Sequence, residues 1–218
     1  MKRDPALGPK FILVFTTKIL GLWIRKVKGL ENLPKNQAFI IASNHCSYIE
    51  HFLIGSLVIS YLQKKIFVLA KKEHYEDITQ KKWHKFWNNY LGQIPIDRSK
   101  GEHALKLAIE CLKKGKVLII YPEGTRSLTG KIQKGKTGVS RLALGAQVPV
   151  VPLGIIGSFE ILPKGKIIPN MKRATLNFGN PIYFNKYYNK PTTKKSLRSI
   201  TNTIMKQIAK LSNQKYNF

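Results

Sequence analysis

With 218 residues, the chain is long enough for one domain with its own hydrophobic core, and an apolar content of 43% argues against a disordered protein. The 38 Lys and Arg residues against 11 Asp and Glu residues give a formal charge of +27. This charge indicates an anionic partner: a nucleic acid, an acidic membrane, an acidic carrier protein or a phosphate-bearing ligand. The two cysteines form no C-x-x-C pair, and no set of Cys and His residues has the spacing of a structural zinc site.

The first predicted element is a short apolar helix at residues 11–24, flanked on both sides by basic residues. It is shorter than the ~20 apolar residues that span a bilayer, and Lys18 interrupts it. A cleaved signal peptide is disfavoured, because basic residues follow it instead of a small-residue cleavage site. An amphipathic helix lying on an anionic membrane fits this pattern, and an ordinary core helix is the alternative. We therefore predict a membrane-associated helix in residues 1–28 and the main domain in residues 29–218.

Apolar strands alternate with helical patterns along the rest of the chain. Strands are predicted at residues 38–42, 66–70, 117–121, 148–156 and 174–178, with a short edge-like segment around Pro95. Helices are predicted at residues 47–59, 72–90, 102–113, 138–145 and 197–211. Continuous apolar strands separated by helices are typical of a sheet that is covered on both faces. The predicted fold class is α/β, a single domain with a central, mostly parallel sheet flanked by helices.

The clearest candidate for chemistry is the segment NHCSYIE, residues 44–50, which follows the first of these strands. Open α/β sheets place ligand sites at the carboxyl ends of their strands. There His45 is a candidate general base, and the carboxylate of Glu50 can orient its ring and stabilise the imidazolium. The pairing requires His45 in the loop and Glu50 in the first helical turn. Ser47 and Glu50 also match a capping box, which is the structural alternative for Glu50.

Two later segments carry arginines that suit phosphate. Residues 92–98 read GQIPIDR, and residues 121–127 read YPEGTRS directly after a buried strand. The guanidinium groups of Arg98 and Arg126 match two phosphate oxygens at once, and Gly124 permits close approach of the backbone. A surface Asp-Arg turn is the alternative for the first of these segments.

Residues 130–137 read GKIQKGKT, which satisfies the phosphate-loop pattern G-x-x-x-x-G-K-T. A nucleotide-binding loop of this kind follows its strand directly and opens a helix. Here the predicted strand ends at Tyr121, well before Gly130, and no later apolar strand ends in Asp to hold magnesium. The pattern therefore does not predict a nucleotide hydrolase.

The order and spacing of these segments resemble those of the PlsC-type 1-acylglycerol-3-phosphate acyltransferases. That family has N-H-x-x-x-x-D, G-x-I-P-I-D-R, F/Y-P-E-G-T-R-S and V-P-V-V-P. This chain matches these motifs at residues 44–50, 92–98, 121–127 and 148–152. Residues 134–138 lie where the family has F-K-x-G, which accounts for the apparent phosphate loop. The one departure is Glu50, which stands where the family has aspartate and adds a methylene group.

The resemblance implies transfer of a fatty acyl group from acyl-CoA or acyl-carrier protein to the sn-2 hydroxyl of 1-acylglycerol 3-phosphate (lysophosphatidic acid), giving phosphatidic acid. It implies that His45 is the base and that Glu50 orients it. The substrate-binding positions that it implies are Lys71, Arg98, Glu123, Gly124, Thr125 and Arg126. No metal, prosthetic group or covalent acyl-enzyme is expected, and the enzyme is expected at the cytoplasmic face of a membrane.

Other functions stay open on the sequence alone. Within the family, the acceptor could be another lysophospholipid, glycerol 3-phosphate or an aminolipid. A catalytically inactive lipid-binding relative is a second alternative, with Glu50 as the mark of lost activity. The charge alone would also suit a nucleic-acid-binding protein, but no recognisable motif of that class is present. The expected partners are therefore anionic membrane lipid, the acyl carrier and lysophosphatidic acid, with no nucleic acid.

Overall fold

The computed structural model describes residues 9–71, 91–96, 101–163, 165–166 and 168–218. Its helices are α1 (Lys10–Gly21), α2 (Glu50–Leu62), α3 (Gly101–Lys113), α4 (Gly138–Ala146) and α5 (Lys194–Leu211). Its strands are β1 (Ile24–Lys28), β2 (Phe39–Ser43), β3 (Ile66–Lys71), β4 (Leu91–Ile96), β5 (Val117–Ile120), β6 (Val150–Ile156) and β7 (Ala174–Phe178). The helix predicted at residues 72–90 lies outside the described residues.

The strands form one seven-stranded sheet in the order β1-β7-β6-β2-β5-β3-β4. The five strands from β2 to β6 run in the same direction, whereas β7 is antiparallel to β6 and β1 is parallel to β7. Helix α2 connects β2 to β3, α3 connects β4 to β5, and α4 connects β5 to β6, as is usual for parallel crossovers. The predicted mostly parallel α/β fold is therefore confirmed.

Helices cover both faces of the sheet, which explains why the central strands are apolar throughout. In β2, Phe39 and Ile41 belong to the core cluster on the side of α1 and α2. The alternate residues Ile40 and Ala42 belong to the cluster on the side of α3, α4 and α5. Because successive side chains of a strand point to opposite faces, a strand buried on both sides carries no polar face.

The amino-terminal segment differs from the sequence-based division, which assigned residues 1–28 to the helix. Helix α1 ends at Gly21, and Ile24–Lys28 is an edge strand that pairs with β7. The register of this pairing shifts between Ile24 and Lys26, as at a β-bulge. The shift lets Ile24 and Val27, three positions apart, share the protected side of the strand, so the segment lacks the alternation that predicts a strand.

Several loops meet at one edge of the sheet. We call it the carboxyl edge, the edge at which β2, β5 and β6 end. Since β7 runs opposite to β6, and β1 runs parallel to β7, both β1 and β7 begin at this edge. The end of α1, the loop after β2, the loop after β5 and the β6–β7 connection therefore lie along the same side. Among the described residues, no helix is long and apolar enough to cross a membrane.

Candidate active site

The histidine and the carboxylate predicted from the first motif lie together at the carboxyl edge. The chain leaves β2 as a short loop, and α2 begins at Glu50. Nδ1 of His45 lies 2.7 Å from Oε2 of Glu50. The His45 side chain is 18% exposed, whereas that of Glu50 is fully buried. The histidine is thus in the loop and the carboxylate in the first helical turn, as the pairing requires; the catalytic role of the pair stays a prediction.

Hydrogen-bond donors surround the buried carboxylate of Glu50. Its Oε1 accepts from Oγ of Ser158 at 2.8 Å, from the backbone N–H of Cys46 at 3.0 Å and from that of Ser47 at 3.1 Å. The Cys46 thiol also contacts Oε1 at 3.2 Å, and burial beside Glu50 raises the pKa of this thiol far above its usual range. These donors replace the water that a buried carboxylate loses.

The capping-box alternative for Glu50 is realised only in part. The backbone N–H of Ser47 donates to Glu50, as in a capping box. However, Oγ of Ser47 donates to the carbonyl of Leu162 at 2.9 Å, and the helix already begins at Glu50. The same carboxylate therefore organises the loop backbone and contacts His45, so the structural and the chemical interpretations coexist.

The segment after β5 holds His45 from the other side. The ring of His45 stacks on that of Tyr121, with 3.8 Å between centroids and 16° between planes. The His45 backbone N–H donates to Oε1 of Glu123 at 2.9 Å, and its carbonyl accepts from the N–H of Ser127 at 2.7 Å. Because a carboxylate only accepts, the proton between His45 and Glu50 lies on Nδ1, and Nε2 carries the lone pair.

Glu123 faces the protein backbone with both of its oxygens. Oε1 accepts from His45, and Oε2 accepts from the N–H of Gln133 at 2.8 Å. The side chain is buried, and this burial raises the pKa of Glu123 to about 7. The nearby charge of Glu50 raises this pKa as well, while the two backbone N–H groups lower it. In this arrangement Glu123 braces the loop of His45, and its predicted contact with substrate stays a prediction.

The turn that follows Glu123 is open to solvent. Gly124 has a positive φ of 72°, and its N–H donates to the carbonyl of Tyr121. Thr125 is exposed, and the half-buried Arg126 places its guanidinium 5.3 Å from the centre of the Tyr48 ring. A Cβ on Gly124 would lie 3.0 Å from Nζ of Lys136, so a second cation stands beside the turn. Sequence reasoning gave no role to Lys136.

Two predicted cations cannot be placed against His45. Lys71 is the last residue of β3, and its side chain is not among those that the structure describes. Arg98 lies outside the described residues. Within the described ranges, no three His, Cys, Asp or Glu side chains are grouped as metal ligands would be. The expectation that the enzyme needs no metal or prosthetic group stays a prediction.

Sequence reasoning missed the contribution of Ser158, which lies 108 positions from its partner Glu50. Ser158 is fully buried and follows the end of β6, where Gly157 has a φ of 84°. A small polar residue at the carboxyl end of a second strand is a signal that could have indicated it. The motif residue Asn44 supports the same arrangement, since its amide pairs with the backbone of Ile155 through two hydrogen bonds, at 2.8 and 3.0 Å. These bonds fix β6, and hence Ser158, beside the loop of His45.

A groove of about 650 Å³ opens next to this site. Its walls come from residues 129–132, from residues 155–157 with 159 and 160, and from residues 212, 214, 215, 217 and 218, and Cys46 also lines it. Lys131 and Lys215 supply positive charge against the carboxylate of Glu160, and Phe159 and Phe218 supply apolar surface. The volume lies within the range of small-molecule sites, about 300–1,000 Å³. The site thus combines an oriented histidine, a cationic turn and an adjoining groove, which suits proton removal from a substrate that carries an anion.

Comparisons with known proteins identify the family of the chain. The sequence model of the acyltransferase family matches residues 24–156, which run from the start of β1 to the end of β6. The 1-acyl-sn-glycerol-3-phosphate acyltransferase of Bacillus subtilis is 27% identical over 191 residues, covering 87% of this chain and 88% of the relative. The chloroplastic 1-acyl-sn-glycerol-3-phosphate acyltransferase LPAT1 of Arabidopsis thaliana is 32% identical over 158 residues. This match covers 71% of this chain but only 40% of the relative.

A solved structure also resembles the chain over nearly its whole length. The crystal structure of the 1-acyl-sn-glycerophosphate (LPA) acyltransferase PlsC from Thermotoga maritima superposes with a TM-score of 0.70 at 26% sequence identity. The match covers 96% of this chain and 83% of that structure. Ser158 lies two residues beyond the region that the family model matches.

Proposed function

Since this chain belongs to the acyltransferase family, we propose that it transfers a fatty acyl group to the sn-2 hydroxyl of 1-acylglycerol 3-phosphate and so makes phosphatidic acid. The observation that carries the proposal is the contact of 2.7 Å between His45 and the fully buried carboxylate of Glu50. The acceptor is supported by the names of the relatives from Bacillus subtilis and Thermotoga maritima.

In the proposed reaction, Nε2 of His45 accepts the proton of the acceptor hydroxyl while the hydroxyl oxygen attacks the thioester carbonyl. The carbon–oxygen bond forms, and collapse of the tetrahedral adduct breaks the carbon–sulfur bond. The leaving thiolate then takes the proton from the imidazolium. An alcohol is a poor nucleophile at neutral pH, and a positioned base of this kind contributes about 10²–10⁴-fold in rate. Glu50 stabilises the imidazolium while it exists.

The acceptor phosphate would bind at the turn of Gly124, Thr125 and Arg126. This turn is exposed beside His45, and Arg126 and Lys136 supply cations there. A phosphate held by a guanidinium places the attached glycerol near the base. The motif resemblance supports the same role for Lys71 and Arg98.

The donor would be a thioester of coenzyme A or of acyl-carrier protein, and its arm would enter through the groove beside Cys46. The pantetheine arm of both donors carries amide groups and ends in the thioester. The groove offers apolar walls with polar groups between them, and its lysines suit anionic carriers. Both carriers are anionic, which is consistent with the formal charge of +27.

We also propose that α1 attaches the protein to anionic membranes, at the cytoplasmic face. One side of the helix packs on α2 through Leu13, which is buried in the core. The other side exposes large apolar residues: Phe11, Val14, Phe15, Ile19 and Leu22. An apolar face with basic neighbours suits a helix that lies in the membrane interface. Attachment would give the site access to acceptors that hardly leave the bilayer.

The test of the function is an assay of the purified full chain with a panel of acceptors and both donor types, with products identified by mass. The panel contains 1-acylglycerol 3-phosphate, another lysophospholipid, glycerol 3-phosphate and an aminolipid, and His45→Ala protein is the control. We expect phosphatidic acid from the first acceptor, and no product above background from the variant. A preferred product from another acceptor would correct the substrate, and no acyl transfer at all would overturn the proposed function.

A further inference from the structure

A second exposed apolar surface lies outside α1, in the connection between β6 and β7. Ile168 is 75% exposed and Met171 is 71% exposed. Basic residues lie close to them in the sequence, and Lys166, Lys172 and Arg173 are all exposed. These apolar side chains lie in water and do not contribute to the core. Exposed apolar patches with polar residues at their rim are typical of surfaces that bind a membrane or another protein.

Asn170 bonds back to residues that lie earlier in the same connection. Asn170 donates from its backbone N–H to the carbonyl of Ile161 at 2.8 Å, and from its side-chain amide to the carbonyl of Glu160 at 2.8 Å. Both bonds hold Asn170, which lies between Ile168 and Met171, against an earlier part of the same connection. The apolar side chains therefore stand on a braced loop.

The loop is also fixed to the end of α1. Nε1 of Trp23 donates to the carbonyl of Asn170 at 2.9 Å, and the carbonyl of Trp23 accepts from the N–H of Ala174 at 2.8 Å. Trp23 directly follows Leu22, which is 49% exposed and belongs to the apolar face of α1. The two apolar surfaces are thus joined through one indole ring, and indoles are enriched at membrane–water interfaces.

The same connection touches the loop of His45. The carbonyl of Leu162 accepts from Oγ of Ser47 at 2.9 Å and from the N–H of Tyr48 at 3.3 Å. Because β6 ends and β7 begins at the carboxyl edge, the exposed residues lie on the same side of the sheet as the His45–Glu50 pair. A surface that binds both α1 and this loop would therefore meet the protein at its active-site edge.

We propose that the β6–β7 loop is a second membrane contact, in which Ile168 and Met171 enter the interface of an anionic bilayer. Lys166, Lys172 and Arg173 then bind the lipid phosphates around them. The inference rests on the membrane attachment proposed for α1. It adds an orientation: a single helix lets the domain pivot, whereas two contacts joined at Trp23 hold the carboxyl edge against the bilayer. The acceptor then reaches His45 from the lipid phase without crossing water.

The first experiment uses the full chain carrying Met171→Cys and attaches an environment-sensitive fluorophore to the introduced thiol. Cys111→Ala removes the partly exposed native thiol, and Cys46 is kept because it is buried. The vesicles contain anionic lipid, to which exposed basic residues are attracted. We expect a blue shift, with quenching by a lipid-borne quencher. The matched control is Tyr183→Cys, since Tyr183 is also exposed, at 52%. It lies at the opposite edge of the sheet, because its neighbour Ile182 pairs with Val150, the first residue of β6. The control should not shift.

The outcomes separate this inference from the function on which it rests. Flotation of the unmodified chain with the same vesicles tests attachment itself. A chain that floats while the probe at position 171 stays silent overturns the second contact alone. A probe that shifts without vesicles as protein concentration rises reports a protein partner, in this case a second copy of the chain, and also overturns it. A chain that does not float removes the membrane attachment and this inference together.

The second experiment measures vesicle partitioning of the double variant Ile168→Ser with Met171→Ser. Both side chains are mostly exposed, so the fold should be kept. We expect partitioning at least about tenfold weaker, the effect of removing one or two large side chains from an apolar phase. Tyr183→Ser, the matched control, should change it less than about twofold. Unchanged partitioning of the double variant would contradict the proposal.

Discussion

The His45–Glu50 pair and the apolar surface of α1 depart from the usual distribution of residues in opposite ways. The pair places an ionisable carboxylate in the interior, fully buried and surrounded by hydrogen-bond donors. The helix leaves large apolar side chains in water, with Phe11 74% and Phe15 64% exposed. Folding alone favours neither arrangement.

The difference between the two regions lies in how each is compensated. The carboxylate is compensated inside the protein, by Ser158, the loop backbone and His45. The apolar face of α1 has no such compensation among the described residues, and in the membrane attachment proposed above a lipid surface covers it. The first region is therefore built for a fixed geometry and the second for an interface. Disturbing the buried pair should therefore reduce the rate of acyl transfer, whereas disturbing the exposed face should reduce membrane binding.

The largest effect is expected from His45→Ala, which removes the base. We expect kcat to fall by about 10²–10⁴, with little change in melting temperature, because the histidine ring is partly exposed. The measurement is kcat of the purified variant beside its thermal unfolding. A variant that keeps more than about a tenth of the wild-type rate would overturn the mechanism, since that loss is below the usual contribution of a general base.

Substitutions of Glu50 separate charge from length. Glu50→Gln places an amide N–H2 group against N–H donors, either at His45 or at the backbone of Cys46 and Ser47. We expect a loss of at least about a hundredfold in kcat, since neutralising the carboxylate of a comparable pair costs about 10⁴. Glu50→Asp keeps the charge and should retain substantial activity.

The paired measurement for Glu50 is kcat and melting temperature of both variants. We expect Glu50→Gln to lower the melting temperature as well, because the amide leaves a buried hydrogen-bond donor of the loop without an acceptor. If Glu50→Gln kept a near-wild-type kcat, Glu50 would serve only to organise the loop.

The exposed face of α1 is tested by Phe11→Ser combined with Phe15→Ser. We expect vesicle binding at least about a hundredfold weaker, since each of the two rings contributes on the order of 1.5–3 kcal/mol when it enters an apolar phase. Truncating the helix is a poorer test, because Leu13 is part of the core. Activity toward a detergent-dispersed acceptor should be kept. Binding that is unaffected by the double variant would show that attachment lies elsewhere.

The pKa of Glu123 predicts a dependence of stability on pH. Burial raises this pKa from 4.5 to about 7, so the folded protein holds the proton more tightly than the unfolded chain. The resulting contribution is fully present below pH 4.5, and it is lost as pH rises through about 7. A shift of this size corresponds to about 3 kcal/mol in the free energy of unfolding. The measurement compares wild type with Glu123→Gln across this range, and a difference that does not change with pH would contradict the assignment.

The smallest effect is expected from Ser158→Ala. The variant removes one donor from the Glu50 carboxylate, and we expect kcat to fall about tenfold, the value of one hydrogen bond to a charged group. KM for the acceptor should hardly change, and Ser158→Thr should recover part of the rate. The control is Ser140→Ala, another fully buried serine, which bonds Thr137 and Thr201 far from Glu50. Equal losses of rate in both serine variants would assign Ser158 to stability alone.

Local sequence was enough to predict the α/β fold and the resemblance to acyltransferases, and both are confirmed. Apolar runs report strands that are buried on both faces, and His45 and Glu50 are only five positions apart, so the loop and first helical turn between them could bring the two together. The edge strand Ile24–Lys28 was missed, because a bulge hides its alternation.

Other features depend on which strands become neighbours. The bond between Ser158 and Glu50 spans 108 positions and exists because β6 lies beside β2, an order that no local pattern encodes. Likewise, the YPEGTRS motif predicted a phosphate site, but only the packed structure turned Glu123 toward the backbone of His45. Periodicity and short motifs report which residues are buried and which can react. The direction in which a buried polar side chain points is decided by the donors that tertiary packing brings to it, because leaving it unpaired would cost more than any local preference supplies.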